Sequence, residues 1–260
     1  MKKNIVFILG AGSSKDFGFP LGDEIFAEAH NLLLNTKSSD IKSKLKITLT
    51  EVERIMAQIF SRLPSDKTKY PLFEEVLTFI WHSKKYEYQD WKNYGNVVSL
   101  FDKLTKEVFA TFVEMLALTF SGIIYSNDFK KELKLYETFI KSLNFKTNNI
   151  SFISLNYDLL IDTILLDCVK EGLIEGLNYG IGVRPLSDEI DRKKDGMLLL
   201  KPHGSLNLSF CTAYSHGREL FYYSEGDITI DVMNESDRIK CRIDHCGHYV
   251  KPLRVPLKIS

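Results

Sequence analysis

Cysteine is scarce in this sequence: Cys168, Cys211, Cys241 and Cys246 are the only four, and no two form a CxxC pair. Such spacing does not describe a disulfide framework of the kind that staples small secreted domains. Excess charge is missing too. Lys+Arg and Asp+Glu both number 34, so the balance supplies no field that would draw nucleic acid or an anionic membrane, and direct binding to either is not expected. No apolar run approaches the ~20 residues needed to cross a bilayer. The opening "MKKNIVFILGAG" imitates a secretory signal, but Ile5 to Leu9 is shorter than a usual apolar core and the polar "SSKD" follows at once. Repeats and low-complexity tracts are absent as well. These absences leave the expectation of a reduced, cytoplasmic globular protein. At 260 residues it can bury a full core, as one large domain or one domain carrying an insertion.

What is present is organised around three short apolar runs. Asn4 to Leu9 reads as a buried parallel strand, short and β-branched. After the loop that follows, apolar residues recur at helical spacing for a long stretch. In "TEVERIMAQIF", Thr50 and Glu53 stand at capping-box spacing, with Val52, Ile55, Met56, Ile59 and Phe60 on one face. "PLFEEVLTFIW" repeats the pattern with Phe73, Val76, Leu77 and Ile80 behind Pro71. "VVSLFDKLTKEVFATFVEMLALTF" and "FKKELKLYETFIKSL" predict two more helices, and "NTKSSDIKSK" reads as a loop. The aromatic and Met stripes follow the core-facing period, which makes them core rather than a ligand box. Residues 23–147 therefore read as a helical insertion or subdomain. Strand signals return with "NISFISLNYD"; the helix "LLIDTILLDCVKEG" follows and ends near Gly172. A loop containing "NYGIG" leads to the third apolar run, "MLLLKPHGS", and "ELFYYS" and "DITIDVM" predict short strands beyond it. The fold class is α/β, with a parallel sheet and a large, mostly helical insertion after the first strand.

Each polar cluster able to do chemistry follows an apolar strand: Gly10-Ala11-Gly12-Ser13-Ser14, then Asn156-Tyr157-Asp158, then His203-Gly204-Ser205. In an open parallel sheet the carboxyl ends of the strands share one edge, and ligands bind in the crevice there, so three distant stretches can converge. Gly10 and Gly12 permit a tight turn and a close approach of backbone to an anion. The amides that follow could bind a pyrophosphate, and Ser13 and Ser14 add hydroxyl donors. The loop departs from GxGxxG where Lys15 stands at the third glycine, and it is not GxxxxGK[ST], which disfavours a Walker-type NTPase. A tight strand-to-helix turn with no ligand has the same composition. Asn156 and Asp158 could hold a ribose hydroxyl and a carboxamide, or one of them could cap the next helix. His203 is either a buried histidine satisfied by backbone or a base poised near neutral pH, with Gly204 permitting close packing beside it. A Ser-His-Asp hydrolase is a poor rival, because GxSxG is missing and Ser205 stands too near His203 in sequence.

In that order, "GAGSS…FGFP", "SLNYD" and "KPHGSLN" resemble the sirtuin-like family, and its bacterial antiphage-defence branch of NAD hydrolases more closely than the protein deacylases. The resemblance covers residues 4–22 and 149–256, and a long helical insertion between them is typical of that branch. It implies a Rossmann-like NAD-binding domain over 1–22 and 148–260, interrupted by the insertion at 23–147. By this resemblance Gly10, Ala11, Gly12 and Ser13 contact the dinucleotide phosphates, and Ser14, Gly204 and Ser205 belong to the same NAD site. Pro20 borders the nicotinamide pocket, Asp158 holds the carboxamide, and Asn156 and His203 are catalytic. The implied activity is an NAD+ glycohydrolase that takes NAD as substrate and depletes it as an antiphage effector. A homo-oligomer, with a separately encoded ATPase or sensor as partner, is implied with it.

Two departures set the chain apart from the deacylases. "CRIDHCGHY" offers Cys241, His245, Cys246 and His248 in a spacing that matches neither ribbon nor finger, so no metal is expected. The Phe-Arg that follows the Gly-Ile-Pro turn in deacylases is replaced by Leu21-Gly22. The final "KPLRVPLKIS" resembles a strand after which members of the branch continue into a Gly-x-Ser segment on the ribose and adenine side; here nothing follows Ser260. Both departures favour a plain glycohydrolase over a deacylase; the alternatives kept beside it are an NAD-dependent protein deacylase and a catalytically silent NAD- or ADP-ribose-binding subunit of a larger complex.

Overall fold

The computed structural model describes residues 2–60, 64–66, 69–78, 111–123, 127–180, 183–185, 196–211, 220–223, 246 and 250–252. In chain order the elements are β1 (Lys3–Leu9), α1 (Gly12–Lys15), α2 (Ile25–Asn35), α3 (Ser39–Phe60), α4 (73–78), α5 (111–123), α6 (Asn127–Ser142), β2 (Asn148–Ser154) and α7 (Leu160–Lys170). Then come β3 (Leu177–Asn178), β4 (Val183–Pro185), β5 (Met197–Leu200), β6 (Leu208–Cys211), β7 (Leu220–Tyr223) and β8 (Val250–Pro252). The chain divides into two compact units, one made of Met1–Phe19 with Tyr125–Ser260, the other of Pro20–Ile124.

The three apolar runs become neighbours in the first unit. β1 pairs in parallel with β2 from Lys3↔Asn148 to Leu9↔Ser154 without a break, β2 pairs with β5, and β5 with β3, all parallel, in the order β1-β2-β5-β3. This is the parallel sheet of an α/β fold. Alternation decides which side chains the core receives. Ile150, Phe152 and Leu199 point to the covered face and are buried, and Phe7 stacks on Phe152 with centroids 5.2 Å apart. Phe139 of α6 meets Phe7 edge-on at 6.2 Å, which is why α6 belongs to this unit although its sequence reads as part of the helical stretch 23–147. On the opposite face of β1, Val6 is 56% and Ile8 69% exposed, so this edge strand is covered on one side only.

Helix α7 lies between β2 and β3 in sequence and buries Leu160, Ile161, Ile164, Leu165, Leu166 and Cys168. It stops in a Schellman arrangement: Gly172 takes φ +70°, its amide donates to Val169 O, and the Leu173 amide donates to Cys168 O. The expected loop "NYGIG" begins differently, since Leu177 and Asn178 pair with Met197 and Leu198 as a two-residue strand. The remaining strands form a second sheet, β4-β7-β6-β8, in which β6 runs antiparallel to both neighbours and β4 parallel to β7. The predicted strand "DITIDVM" lies outside the described residues.

The elements described in the second unit are helices. Phe26 of α2 anchors the unit, with Tyr70, Phe73 and Phe112 at ring distances of 5.7, 6.1 and 6.0 Å. Phe73, Val76 and Leu77 are buried as their spacing predicts, and Ile80 lies outside the described residues. Two expectations fail here. "NTKSSDIKSK" is a break only at 36–38, because Ser39 opens a helix whose buried stripe Ile41, Leu45, Leu49, Val52, Met56 runs unbroken into the next motif. Thr50 consequently sits inside the helix, its hydroxyl donating to Lys46 O, and Glu53 does not cap but accepts the Tyr70 hydroxyl at 2.8 Å. Among the described residues no helix is long and apolar enough to cross a membrane.

Candidate active site

Parallel pairing of β1, β2 and β5 sets the carboxyl ends of the three runs side by side. The ladder extends one bond past the strands, Leu155 N donating to Leu9 O at 2.8 Å, so the first two loops leave the sheet together. Asn156 joins them. Its Nδ2 donates to Gly10 O at 3.0 Å, to Ser14 Oγ at 2.9 Å and, more weakly, to Ser13 Oγ at 3.3 Å. A backbone carbonyl only accepts, so nitrogen must face Gly10, and that fixes the amide's orientation. Oδ1 of Asn156 then has no donor among the described residues and is available to a hydroxyl.

Ser14 passes the network on. Its hydroxyl donates to Asp158 Oδ2 at 2.8 Å, and Asp158 Oδ1 accepts the Leu160 amide at 3.0 Å. One oxygen of Asp158 thus does the work of a helix cap while the other faces the glycine loop, so the two readings of this residue are compatible. Burial, the largest influence, pushes the Asp158 carboxyl above the usual carboxylate range. The charge of Lys201 and the bonds from Leu160 and Ser14 pull the other way.

The glycine loop spends much of what its sequence offers. The Ser13 and Ser14 amides close the turn onto Gly10 O and Ala11 O at 2.9 and 3.1 Å, and Ser13 Oγ donates to Gly10 O at 2.7 Å. These amides and hydroxyls are therefore not idle donors for a pyrophosphate; the Ala11 and Gly12 amides are what the loop has left. Neither Gly10 nor Gly12 takes a positive φ, and a Cβ added to either would meet nothing within 4 Å. The fold itself does not need glycine there, and the open space before the loop is what a side chain would fill.

The third loop joins the second. Leu206 N donates to Tyr157 O at 3.2 Å, and the His203 ring stands 6.2 Å from that of Tyr157. His203 is exposed, which removes the buried-histidine alternative. Gly204 takes φ +90° and donates to Lys201 O at 2.9 Å, a turn that favours glycine. Ser205 is buried, and among the described residues its hydroxyl has no hydrogen-bond partner. Pro20 is also buried but belongs to the other unit and makes none of these bonds.

Behind the loops lies a group that the sequence motifs did not single out. Lys201 Nζ donates to Asp158 O at 2.5 Å and to Asp162 Oδ2 at 2.7 Å, while Asp162 Oδ1 accepts Tyr179 OH at 2.8 Å and Asn207 Nδ2 at 3.4 Å. Tyr136 of α6 is a further neighbour: its ring lies 5.3 Å from that of Phe17, and burial followed by the Asp158 charge pushes its phenol up to about 12. Some of this was readable. Asp162 is a lone acid among apolar residues four places after Asp158, on the same helical face, and Lys201 closes an apolar strand. Nothing in the sequence points to Tyr136.

Among the described residues no three of His, Cys, Asp and Glu are placed to hold a metal. Of the "CRIDHCGHY" group only Cys246 is described, and it is buried; Cys241, His245 and His248 lie outside the described residues. No family model matches the sequence, and no curated protein matches it significantly.

Proposed function

We propose that this chain is a sirtuin-like NAD+ glycohydrolase that cleaves the nicotinamide–ribose bond of NAD to give nicotinamide and ADP-ribose. One observation carries the reading: the three motif-bearing loops, which resemble that family in sequence, leave adjacent parallel strand ends, the first two joined by the bonds of Asn156 and the third tied to the second by Leu206 N donating to Tyr157 O. The parallel sheet agrees with a Rossmann-like domain. The substrate's needs and the residues present are compatible. A dinucleotide needs backbone free of side chains beside its phosphates, and Gly10 and Gly12 face open space. Its ribose and carboxamide need polar partners, and Asn156 Oδ1 and the Ser205 hydroxyl, which has no partner among the described residues, supply two.

The chemistry asks little acid catalysis of the protein. As the C1′–N bond breaks, its electron pair neutralises the pyridinium, so nicotinamide leaves as a neutral base without a proton donor. The ribose passes through an oxocarbenium-like state, as in glycoside hydrolysis, and water adds to C1′. Asn156 would orient a ribose hydroxyl through Oδ1, Asp158 would hold the carboxamide, and exposed His203 would take the proton that the attacking water releases. Gly10, Ala11, Gly12 and Ser13 would flank the phosphates. The biological setting follows from the resemblance alone: a cytoplasmic antiphage effector, acting as a homo-oligomer or restrained by a separately encoded ATPase or sensor.

The test is nicotinamide release from NAD by the purified chain beside Asn156→Ala and His203→Ala. A positioned acid–base group contributes ~10²–10⁴-fold, so His203→Ala should lower kcat by that order. Asn156→Ala should abolish turnover. Wild-type release unaffected by either change would overturn the assignment of the site, and NAD bound without turnover would favour a silent binding subunit.

A further inference from the structure

A lysine with 1% side-chain exposure, facing an aspartate with 2%, is an expensive way to hold a fold together. The cost of stripping water from both charges roughly cancels their attraction, and apolar residues of similar size often serve stability as well or better. What the pair supplies instead is direction. Lys201 is the first residue after β5, its first acceptor is the carbonyl of Asp158 in the loop after β2, and its second is Asp162 within α7. One ammonium therefore ties three elements. Asp162 is steadied in turn by Tyr179 and Asn207. The Asp158 carbonyl is two residues from Asn156, so its donor also limits how the loop presents the Asn156 amide.

We propose that Lys201 is a positioning residue, whose buried ammonium, bonded at once to the Asp158 carbonyl and to Asp162, holds the Asn156 loop in its working geometry. Its kinetic consequence rests on the function proposed above. A misplacement of ~1 Å can cost ~10²-fold in rate, and that is the scale at which losing this bond should act.

The test separates positioning from folding. Lys201→Met/Asp162→Asn removes both charges together, leaves Tyr179 and Asn207 an acceptor, deprives the Asp158 carbonyl of the Lys201 donor and sets an amide nitrogen where Asp162 Oδ2 met Lys201. It should keep a cooperative melt near the wild-type Tm while kcat for NAD falls ~10²-fold with KM changed far less. Asp162→Asn alone retains the bond from Lys201 to Asp158 and should keep kcat within about threefold even if its Tm falls. A second readout does not depend on turnover. The side-chain amide of Asn156, assigned in a nitrogen-15 spectrum by its loss in Asn156→Ala, should shift and exchange faster in the double variant and hold its position in Asp162→Asn. A folded double variant with wild-type kcat, or an unmoved Asn156 amide, overturns the proposal. So does failure of both variants to fold, which would make the pair a folding device. If the wild-type chain releases no nicotinamide, the NAD reading fails, and the amide signal still decides the role of Lys201.

Discussion

Asp158 carries a carboxyl where water scarcely reaches, and that has a consequence for stability. Its folded pKa lies above the ordinary 3.8, burial being the chief cause. A carboxyl with a raised folded pKa favours the fold while it is protonated: the contribution is full below the unfolded value and is lost as pH rises through the folded one. Wild-type Tm relative to Asp158→Asn should therefore be highest below the ordinary 3.8 and decline as pH rises above it, as thermal melts of the two on either side of that value would show. A difference independent of pH would contradict the burial of this group. The glycines make a contrast at the same scale. Gly10→Ala meets open space at an ordinary φ and should leave stability unchanged or raise it by about 0.4–1 kcal/mol. Its NAD affinity should nevertheless fall, because the new methyl occupies the space before the loop. Gly204→Ala forces a side chain onto φ +90° and should cost about 1–3 kcal/mol by denaturant titration. The motif residues were legible because each is a short string at a strand end. Their partners were not: Ser14 and Asp158 are 144 positions apart, Lys201 and Asp162 are 39, and only the strand order brings them together.

Among the elements, β1, β2, β5 and α7 were legible, since a short β-branched or apolar run ending in glycine or polar residues has few other readings. The start of α3 was not. Ser, Lys and Asp dominate residues 37–44, and that composition outweighed a period of Ile41, Leu45 and Leu49 that was already present. The strand β3 is two residues long and owes its existence to pairing with β5, a tertiary cause that no local pattern records. The sheet's two faces predict opposite sensitivities. Phe152, fully buried beneath Phe7, should cost about 3–5 kcal/mol when cut to alanine. Ile8, 69% exposed on the other face of β1, should tolerate serine within about 0.5 kcal/mol. Urea unfolding of the two variants checks the pair, and equal losses would mean that β1 is covered on both faces.

For the whole molecule, a long helical stretch inserted after a first strand was readable from periodicity, while the edge of each unit was set by packing. Pro20–Ile124 has its own aromatic core around Phe26 and Phe73, so a fragment of these residues should show a cooperative helical melt. The functional account depends on the other unit, and its central claim is that NAD is cleaved where the Asn156 loop meets the glycine loop. Proton NMR of NAD incubated with the full chain tests this most directly. The account predicts nicotinamide and ADP-ribose appearing in equal amounts, and neither with Asn156→Ala. Intact NAD, together with no calorimetric binding of NAD or ADP-ribose to the wild-type chain, would contradict it.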